Sequence, residues 1–272
     1  MSFEHAATIS LCGLTAAQAA YYRLGLQAPF PRRQTTEETS SYQRDDEAET
    51  TSNFFIYSAS TSIGMYAAQM VRLSSQSTGA KAKLLGTASE KRFEMLKSQP
   101  YNYDFLVDYH NADWVDKIVE SADGRGAQFV LDCISEGDSV KKVSQTLCQG
   151  GQMAIVRSRA GKAWKADDLP LEPIYGAVWE GLGEEIQYRG FRVPKSLDAR
   201  AFAVDFFRWL SNTEVLEPNP VRLMPGGLER IVPDGFTLLG SNLMGDRKSQ
   251  AGQNEPWMKP LSGDKLVYTV SY

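Results

Sequence analysis

From residue 53 onward, short apolar runs alternate with amphipathic stretches. The apolar runs are rich in Val, Ile, Phe and Tyr, which favours β-strands, whereas the stretches between them repeat apolar residues every third or fourth position, which indicates helices. The predicted strands are FFIYS, KLLGTAS, FLVDY, AQFVLDCI and GQMAIV. Strands that alternate with helices form parallel sheets with helices on both faces. The pattern therefore predicts an α/β fold with a doubly wound parallel sheet.

Further segments flank this alternating region. Residues 1–27 contain the uncharged stretch AATISLCGLTAAQAAYY, which we interpret as a buried linker helix leading into the sheet. Residues 28–52 are polar, carry six acidic residues and lack apolar periodicity, so we predict a flexible acidic loop. Residues 226–272 contain a helical stretch interrupted by Pro233 and a terminal strand, DKLVYTVSY. Residues 53–225 form the predicted sheet domain.

The composition argues against several functions. The net charge of −4 gives no basic face for nucleic acid. Two histidines and three widely spaced cysteines favour neither a zinc site nor a disulfide framework. The uncharged N-terminal stretch is mostly Ala, Thr, Ser and Gly and barely reaches the length of a membrane helix. We therefore expect a zinc-independent protein of a reducing, cytoplasmic compartment that binds neither membranes nor nucleic acid.

The stretch YSASTSIGMYAAQM has the layout of a phosphate loop, since a strand is followed by a turn of small residues and then by a helix. Such a loop binds phosphate through the amide N–H groups at the helix N-terminus. Gly64 is its one glycine, whereas Ser60, Thr61 and Ser62 add hydroxyl donors. Because Ser and Thr are also ordinary N-caps, the turn is equally consistent with a plain helix start.

The segment TASEKR after the second strand bears on the choice of nucleotide. An acidic residue there would bind the ribose hydroxyls of NAD, whereas small and basic residues suit the 2′-phosphate of NADP. Ser89, Lys91 and Arg92 fit the second case, provided that Glu90 points away. The alternative is a capped helix with Ser89 as its N-cap and both basic side chains in solvent. Residues 53–225 are thus predicted to bind a dinucleotide, with NADPH favoured.

Seven runs, spread from end to end, carry a resemblance to a known family: SFEHAATISLCGLTAAQAAYYRLGL, YSASTSIGMYAAQMVRLS, LLGTASEKRFEMLKS, LVDYHNADWVDKI, LDCISEGDS, LEPNPVRLMPGGLE and LSGDKLVYTV. In this order they resemble the medium-chain dehydrogenase/reductase superfamily, specifically its zinc-independent branch of fungal trans-acting enoyl reductases that serve polyketide synthases. The resemblance implies a Rossmann fold.

The resemblance also implies an NADPH site formed by the phosphate loop and by the loops after the second to fifth strands. The implied contacts are Ser60, Thr61, Ser62, Ser89, Lys91, Arg92, Tyr109, Cys133, Ile134 and Val156. Tyr109 is equally consistent with an aromatic residue packed against a neighbouring helix. No histidine is placed near Cys133, so this thiol is not favoured as a nucleophile. No catalytic residue is assigned.

The sequence also departs from the family pattern. Family members normally begin with an N-terminal catalytic lobe, and this sequence starts where that lobe ends. The resemblance therefore implies a truncated member, with residues 226–272 as a remnant of the lobe. The terminal strand would ordinarily pair with the lobe, so an unpaired edge is expected. Thr15 lies where the family places residues near the nicotinamide, although a threonine in a buried helix more often bonds its own backbone.

Three functions remain open. The first is an NADPH-dependent enoyl reductase that acts on a small-molecule or carrier-bound polyketide, in contact with a polyketide synthase or with copies of itself. The second is a non-redox catalyst of cyclisation, isomerisation or dehydration, with Tyr175, Trp179 and Tyr188 lining a substrate cleft. For these aromatic residues, a sheet edge and a solvated loop are the simpler interpretation. The third is a non-catalytic partner of a synthase.

Overall fold

The structure, a computed structural model, describes residues 1–31, 51–165, 168–188, 191–240, 255–261 and 263–270. The predicted acidic loop falls largely on residues 32–50, which lie outside the described residues. Within the described ranges, the helices are too short or too polar to span a bilayer.

The strands and helices follow in chain order. The strands are β1 (Ser52–Tyr57), β2 (Ala82–Thr87), β3 (Phe105–Val107), β4 (Ala127–Asp132), β5 (Leu147–Ile155), β6 (Ile174–Tyr175), β7 (Ile186–Tyr188), β8 (Phe191–Val193), β9 (Val221–Leu223) and β10 (Lys265–Val267). The α-helices are α1 (Phe3–Ala6), α2 (Ser10–Ala17), α3 (Ser62–Thr78), α4 (Phe93–Lys97), α5 (Trp114–Ser121), α6 (Ser139–Ser144), α7 (Leu197–Ser211) and α8 (Thr237–Leu239). The 3₁₀ turns are Glu90–Arg92, Arg159–Gly161, Val178–Leu182, Leu228–Arg230 and Pro256–Met258, and the π-helical turns are Gln18–Arg23 and Ile231–Phe236.

Six strands form one parallel sheet in the order β3-β2-β1-β4-β5-β6. In the centre, Phe55 of β1 pairs with Leu85 of β2 on one side and with Val130 of β4 on the other. The chain passes outward from β1 to β3 and then returns to β4, so the strand order reverses between β1 and β4. Open α/β sheets bind ligands outside the carboxyl ends of the strands at this reversal. The predicted doubly wound sheet is confirmed.

Each face of the sheet is covered by its own hydrophobic cluster. Phe54 and Ile56 point into the cluster that contains buried residues of α2 and α3. Phe55, between them in β1, points into the other cluster, together with Trp114 of α5 and Val143 of α6. Because both faces are buried, the centre of β1, residues 54–56, is apolar without polar alternation.

Two strands differ from the sequence-based expectations. The edge strand β6 contains only two residues, which pair with Ala154 and Ile155 of β5, and so short a run has no detectable periodicity. The terminal strand β10 pairs in parallel with β9, Lys265 opposite Val221, a partner that sequence analysis did not name, and the expected unpaired edge stays a prediction for its other side. This pair joins segments on either side of the predicted boundary between residues 225 and 226, and the domain limits remain a prediction.

Candidate nucleotide-binding site

The turn between β1 and α3 contains a single glycine, Gly64, and its geometry shows why glycine is needed there. A Cβ atom at Gly64 would lie 2.7 Å from the carbonyl oxygens of both Ser58 and Ala59. Thr61 caps α3 by accepting the Gly64 amide N–H on its hydroxyl at 3.1 Å. Glycine is therefore required where the first turn of the helix passes against the loop, and small side chains suffice elsewhere.

The amides of this loop fall into two groups. Ser58, which has a positive φ of 62°, donates its amide to the Thr87 hydroxyl at 2.9 Å, and Ala59 donates to the Thr87 carbonyl at 2.8 Å. By contrast, the amides of Ser60, Ser62 and Ile63 find no acceptor among the described residues. Unused amides at the N-terminus of a 17-residue helix provide a binding site for an anion.

The turn after β2 is held against the turn after β3. The Asp108 carboxylate accepts the amide N–H of Glu90 at 3.1 Å and both the amide and the ring Nδ1 of His110. Although desolvation opposes it, these hydrogen bonds hold the pKa of Asp108 below its usual range. Ser89 donates a long hydrogen bond of 3.4 Å to the Tyr109 hydroxyl. The turn that carries Ser89, Lys91 and Arg92 is thus fixed beside Tyr109.

The turn after β4 is organised by Asp132, which is fully buried. One carboxylate oxygen accepts the amides of Ile134 and Ser135 at 2.8 Å each, and the other accepts the Ser139 hydroxyl at 2.7 Å. Burial raises the pKa of the Asp132 carboxyl, which these three hydrogen bonds counteract. The Ser135 hydroxyl then accepts the Val156 amide at 3.0 Å, which ties the β4 turn to the end of β5.

Cys133 and Tyr57 lie at the same edge of the sheet. Cys133 is buried, and burial raises the pKa of its thiol well above the usual range, so the neutral form is stable. A neutral thiol is a poor nucleophile. The half-buried Tyr57 ends β1, and burial, followed by the charges of Asp132 and Tyr109, raises its pKa to about 12. Neither the Cys133 thiol nor the Tyr57 phenol is therefore an anion at neutral pH.

The structure brings the predicted cofactor residues together at one edge of the sheet. They occupy the turns that follow the carboxyl ends of β1, β2, β3, β4 and β5, which are neighbours in the sheet. Lys91 is exposed, Cys133 is buried and the other eight are half-buried. Their contact with a nucleotide remains a prediction. Among the described residues, no cluster of His, Cys, Asp and Glu side chains could hold a metal ion.

The residues proposed for substrate binding lie in three places. The Thr15 hydroxyl donates to the Leu11 carbonyl at 2.8 Å, which is the bond to its own helix that the sequence also allowed. Tyr175 ends β6, and burial and then the charge of Glu180 raise the pKa of its phenol. Trp179 and Tyr188 pack against each other with ring centroids 5.1 Å apart.

A buried ion pair fixes the backbone that leaves β6. Arg23 and Glu180 are 2.9 Å apart, and the Arg23 side chain is only 7% exposed. The guanidinium packs so closely on Gly176 that no Cβ could be accommodated there, and Glu180 also accepts the Ala177 amide at 2.9 Å. The ion pair therefore holds the two residues that follow Tyr175.

Two residues that shape the site were not singled out by sequence reasoning, whereas Thr87 and Asp132 lie near the ends of predicted strands, where ligands are expected to bind. Asn219 is fully buried and donates its side-chain amide to the Ser62 carbonyl at 3.1 Å. The Gly263 carbonyl accepts the Ser62 hydroxyl at 3.2 Å. The signals for these last two were weak: an asparagine between two prolines and an SGDK turn before the final strand.

Comparison with solved structures defines the class of fold. The quinone oxidoreductase of Pseudomonas syringae pv. tomato DC3000 superposes with a TM-score of 0.59 at 14% identity, covering 98% of this chain and 65% of that one. CurK enoyl reductase superposes with a TM-score of 0.57 at 16% identity, covering 86% of this chain and 58% of that one. The chain therefore shares a Rossmann-type α/β fold with these reductases.

Its curated relatives are fungal trans-enoyl reductases. The trans-enoyl reductase ccsC of Aspergillus clavatus is 25% identical over 274 residues, which cover 99% of this chain and 64% of that protein. The enoyl reductase cheB of Chaetomium globosum is 24% identical over 243 residues, which cover 88% of this chain and 59% of that protein. The chain thus spans about three fifths of the length of these relatives. No protein-family model matches the chain.

The Gly64→Ala substitution tests the close approach at the phosphate loop. The added Cβ would lie 2.7 Å from two backbone oxygens, so the loop must shift, and we expect a loss of about 1–3 kcal/mol in the free energy of unfolding. Urea unfolding measures this loss. Gly161→Ala is the matched control, since its Cβ would meet only the Ser158 hydroxyl at 3.4 Å. Equal stability of the two variants would contradict the argument.

The Asp132→Asn substitution tests the buried carboxyl through its pH dependence. The folded pKa of Asp132 is raised above the unfolded value of about 3.9, so between these two pKa values the folded protein binds more protons than the unfolded chain. Stability due to Asp132 therefore falls as pH rises through this window, whereas the asparagine does not titrate.

We accordingly expect the difference in unfolding free energy, wild type minus Asp132→Asn, to decrease as pH rises from about 3.9 and to level off above the folded pKa. Urea unfolding at a series of pH values measures it, and the other titrating groups cancel in the difference. A difference that grows with pH would show that the hydrogen bonds outweigh burial and lower the pKa instead.

Proposed function

We propose that the chain binds NADPH and acts as an enoyl-reductase-like oxidoreductase of polyketide or other secondary-metabolite biosynthesis. The observation that carries this proposal is the set of unused amides of Ser60, Ser62 and Ile63 at the N-terminus of α3. They lie where the strand order reverses, the position at which open α/β sheets bind dinucleotides. The similarity to trans-enoyl reductases supports the reaction class.

The turn after β2 supports NADPH over NADH. Ser89 offers a hydroxyl, and Lys91 and Arg92 follow it in one 3₁₀ turn. Asp108, which lies in the neighbouring turn, is already engaged by two amides and the His110 ring. With the exposed Glu90 side chain directed away, a 2′-phosphate would meet a hydroxyl and two cations at this position, and charge-assisted hydrogen bonds are the strong ones.

Substrate would bind beside Tyr175, Trp179 and Tyr188. When bound, NADPH supplies a hydride for the β-carbon of an α,β-unsaturated thioester, and the resulting enolate needs a proton. Burial and Glu180 keep the Tyr175 phenol protonated at neutral pH, so it can donate a hydrogen bond at the end of β6. The packed rings of Trp179 and Tyr188 would exclude water from this side. Thr15 remains a proposed substrate contact, although its hydroxyl donates to the Leu11 carbonyl of its own helix.

The partners follow from the reaction. We propose a carrier-bound polyketide as the substrate and a polyketide synthase as the protein that presents it, with association of the chain with its own copies as a further expectation. A cytoplasmic location fits such a partner.

The nucleotide preference is tested with Ser89→Asp. We expect wild type to bind NADPH more tightly than NADH, and the added carboxylate to weaken NADPH binding by about 10- to 100-fold while retaining or improving NADH binding, because it repels the 2′-phosphate and accepts the ribose hydroxyls. Fluorescence titration measures both affinities. Ser98→Asp, on an exposed serine at the end of α4, is the matched control. Wild type that prefers NADH would contradict the assignment.

The reaction is tested with a pantetheine enoyl thioester as a probe. We expect the loss of NADPH absorbance to match the amount of saturated thioester formed. Consumption of NADPH without reduction of the carbon–carbon double bond would overturn the enoyl-reductase assignment. Conversion of a polyene intermediate with no net use of NADPH would instead support the non-redox catalyst. Nucleotide binding without conversion of either substrate would favour the non-catalytic partner.

A further inference from the structure

The segment before β10 lies directly on the phosphate loop. The Gly263 carbonyl accepts the Ser62 hydroxyl at 3.2 Å across 201 positions of sequence. A Cβ atom at Gly263 would collide with the Ser60 carbonyl oxygen and approach the Met65 side chain to 3.1 Å. Glycine is therefore needed for this contact as well, and its φ of 88° also favours glycine. Residues 263–265, which we call the second wall of the site, therefore lie beside the unused amides of Ser60 and Ser62.

Arg222 of β9 holds this second wall in place. Its guanidinium Nε lies 2.6 Å from an Asp264 carboxylate oxygen, in a pair whose side chains are 15% and 18% exposed. It also donates to the carbonyls of Trp257 and Pro260, at 3.1 Å each, and of Lys259. A planar guanidinium that bonds one carboxylate and several carbonyls fixes the path of the chain. The position of residues 263–265 is therefore set by packing and hydrogen bonds.

Lys265 begins β10 and carries a positive charge without an anionic partner among the described residues. Its ammonium lies 2.9 Å from the thiol sulfur of Cys12 in α2, and Lys265 itself is half-buried. A thiol is a weak hydrogen-bond acceptor and compensates little of a buried charge. The contact therefore leaves the Lys265 ammonium available for a stronger anionic partner.

The Cys12 contact places this ammonium near the N-terminus of α3. Cys12 is buried in the same hydrophobic cluster as Ala59 of the phosphate loop and Met65 in the first turn of α3. Lys265 also donates its backbone amide to the Pro220 carbonyl at 2.8 Å, and Asn219, which precedes Pro220, donates its side-chain amide to the Ser62 carbonyl in the first turn of α3. The Lys265 ammonium and the unused amides of Ser60, Ser62 and Ile63 thus lie close together at the N-terminus of α3.

The other cations near the strand ends are directed elsewhere. Arg157 pairs with Glu136 at 2.8 Å, and Arg159 pairs with Glu172 at 3.1 Å. Lys91 and Arg92 follow β2, on the side expected to hold the 2′-phosphate. The loop between β1 and α3 contains no basic residue at all. A pyrophosphate with two negative charges would otherwise face only amides and hydroxyls.

We propose that Lys265 is the pyrophosphate-binding cation of this site. On binding, its flexible side chain exchanges the Cys12 thiol for a phosphate oxygen, and Arg222 and Gly263 position the backbone from which it reaches. This inference rests on the proposed NADPH binding and adds a residue from the C-terminal segment to it. The predicted strand DKLVYTVSY then contributes to nucleotide binding.

The test compares Lys265→Met with wild type for two ligands. NADPH contains the pyrophosphate, whereas adenosine 2′-monophosphate contains the adenine, ribose and 2′-phosphate without it. We expect Lys265→Met to weaken NADPH binding by about 10- to 100-fold, as for loss of a charge-assisted hydrogen bond, and to leave adenosine 2′-monophosphate binding within about twofold. Lys265→Arg should retain most of the NADPH affinity. Titration calorimetry measures both ligands.

Lys259→Met is the matched control, because Lys259 is an exposed lysine in the same segment. It should bind both ligands as wild type does. Wild type that binds NADPH, together with Lys265→Met that binds it equally well or loses both ligands in parallel, would overturn the role of Lys265 alone. Wild type that binds no NADPH would overturn the proposed function, and this inference with it.

Discussion

The close approach of α3 to the loop after β1 is the constraint on which the rest of the site depends. Gly64 allows the first helical turn to lie against two carbonyl oxygens, and Thr61 caps the same turn. The helix N-terminus is thereby fixed at the edge where the strand order reverses. Ser58 adopts a positive φ without being glycine, and the hydrogen bond from its backbone amide to the Thr87 hydroxyl supports that conformation. One glycine is sufficient because the neighbouring positions need only small side chains.

The surrounding turns are held in place by hydrogen bonds to two carboxylates, those of Asp132 and Asp108. Asp132 satisfies two amides and one hydroxyl of the β4 turn, and Ser135 extends this network to β5. Asp108 does the same between the turns after β2 and β3. Because these hydrogen bonds form within the protein, the turns are ordered before any ligand binds, which reduces the entropic cost of binding. The arrangement is that of a rigid binding edge.

The site is also closed by residues that are distant in sequence. Arg222 and Asp264 join β9 to the segment before β10, and this segment places Gly263 on the phosphate loop. Asn219 binds the Ser62 carbonyl from the other end of the same region. Folding therefore brings residues 263–265, which sequence analysis assigned to a C-terminal remnant, against the phosphate loop.

The sequence by itself determined the alternation of strands and helices, the doubly wound sheet and the ends of the strands at which polar residues collect, because hydrophobic periodicity is a local property. Ser60, Ser89 and Tyr109 could be selected from that pattern. Only the tertiary structure decided that β10 pairs with β9, that Lys265 meets Cys12 and that Gly263 lies on Ser60. These contacts join residues far apart in the chain, and they arise from packing and close backbone approach, which leave no periodic signal in the sequence.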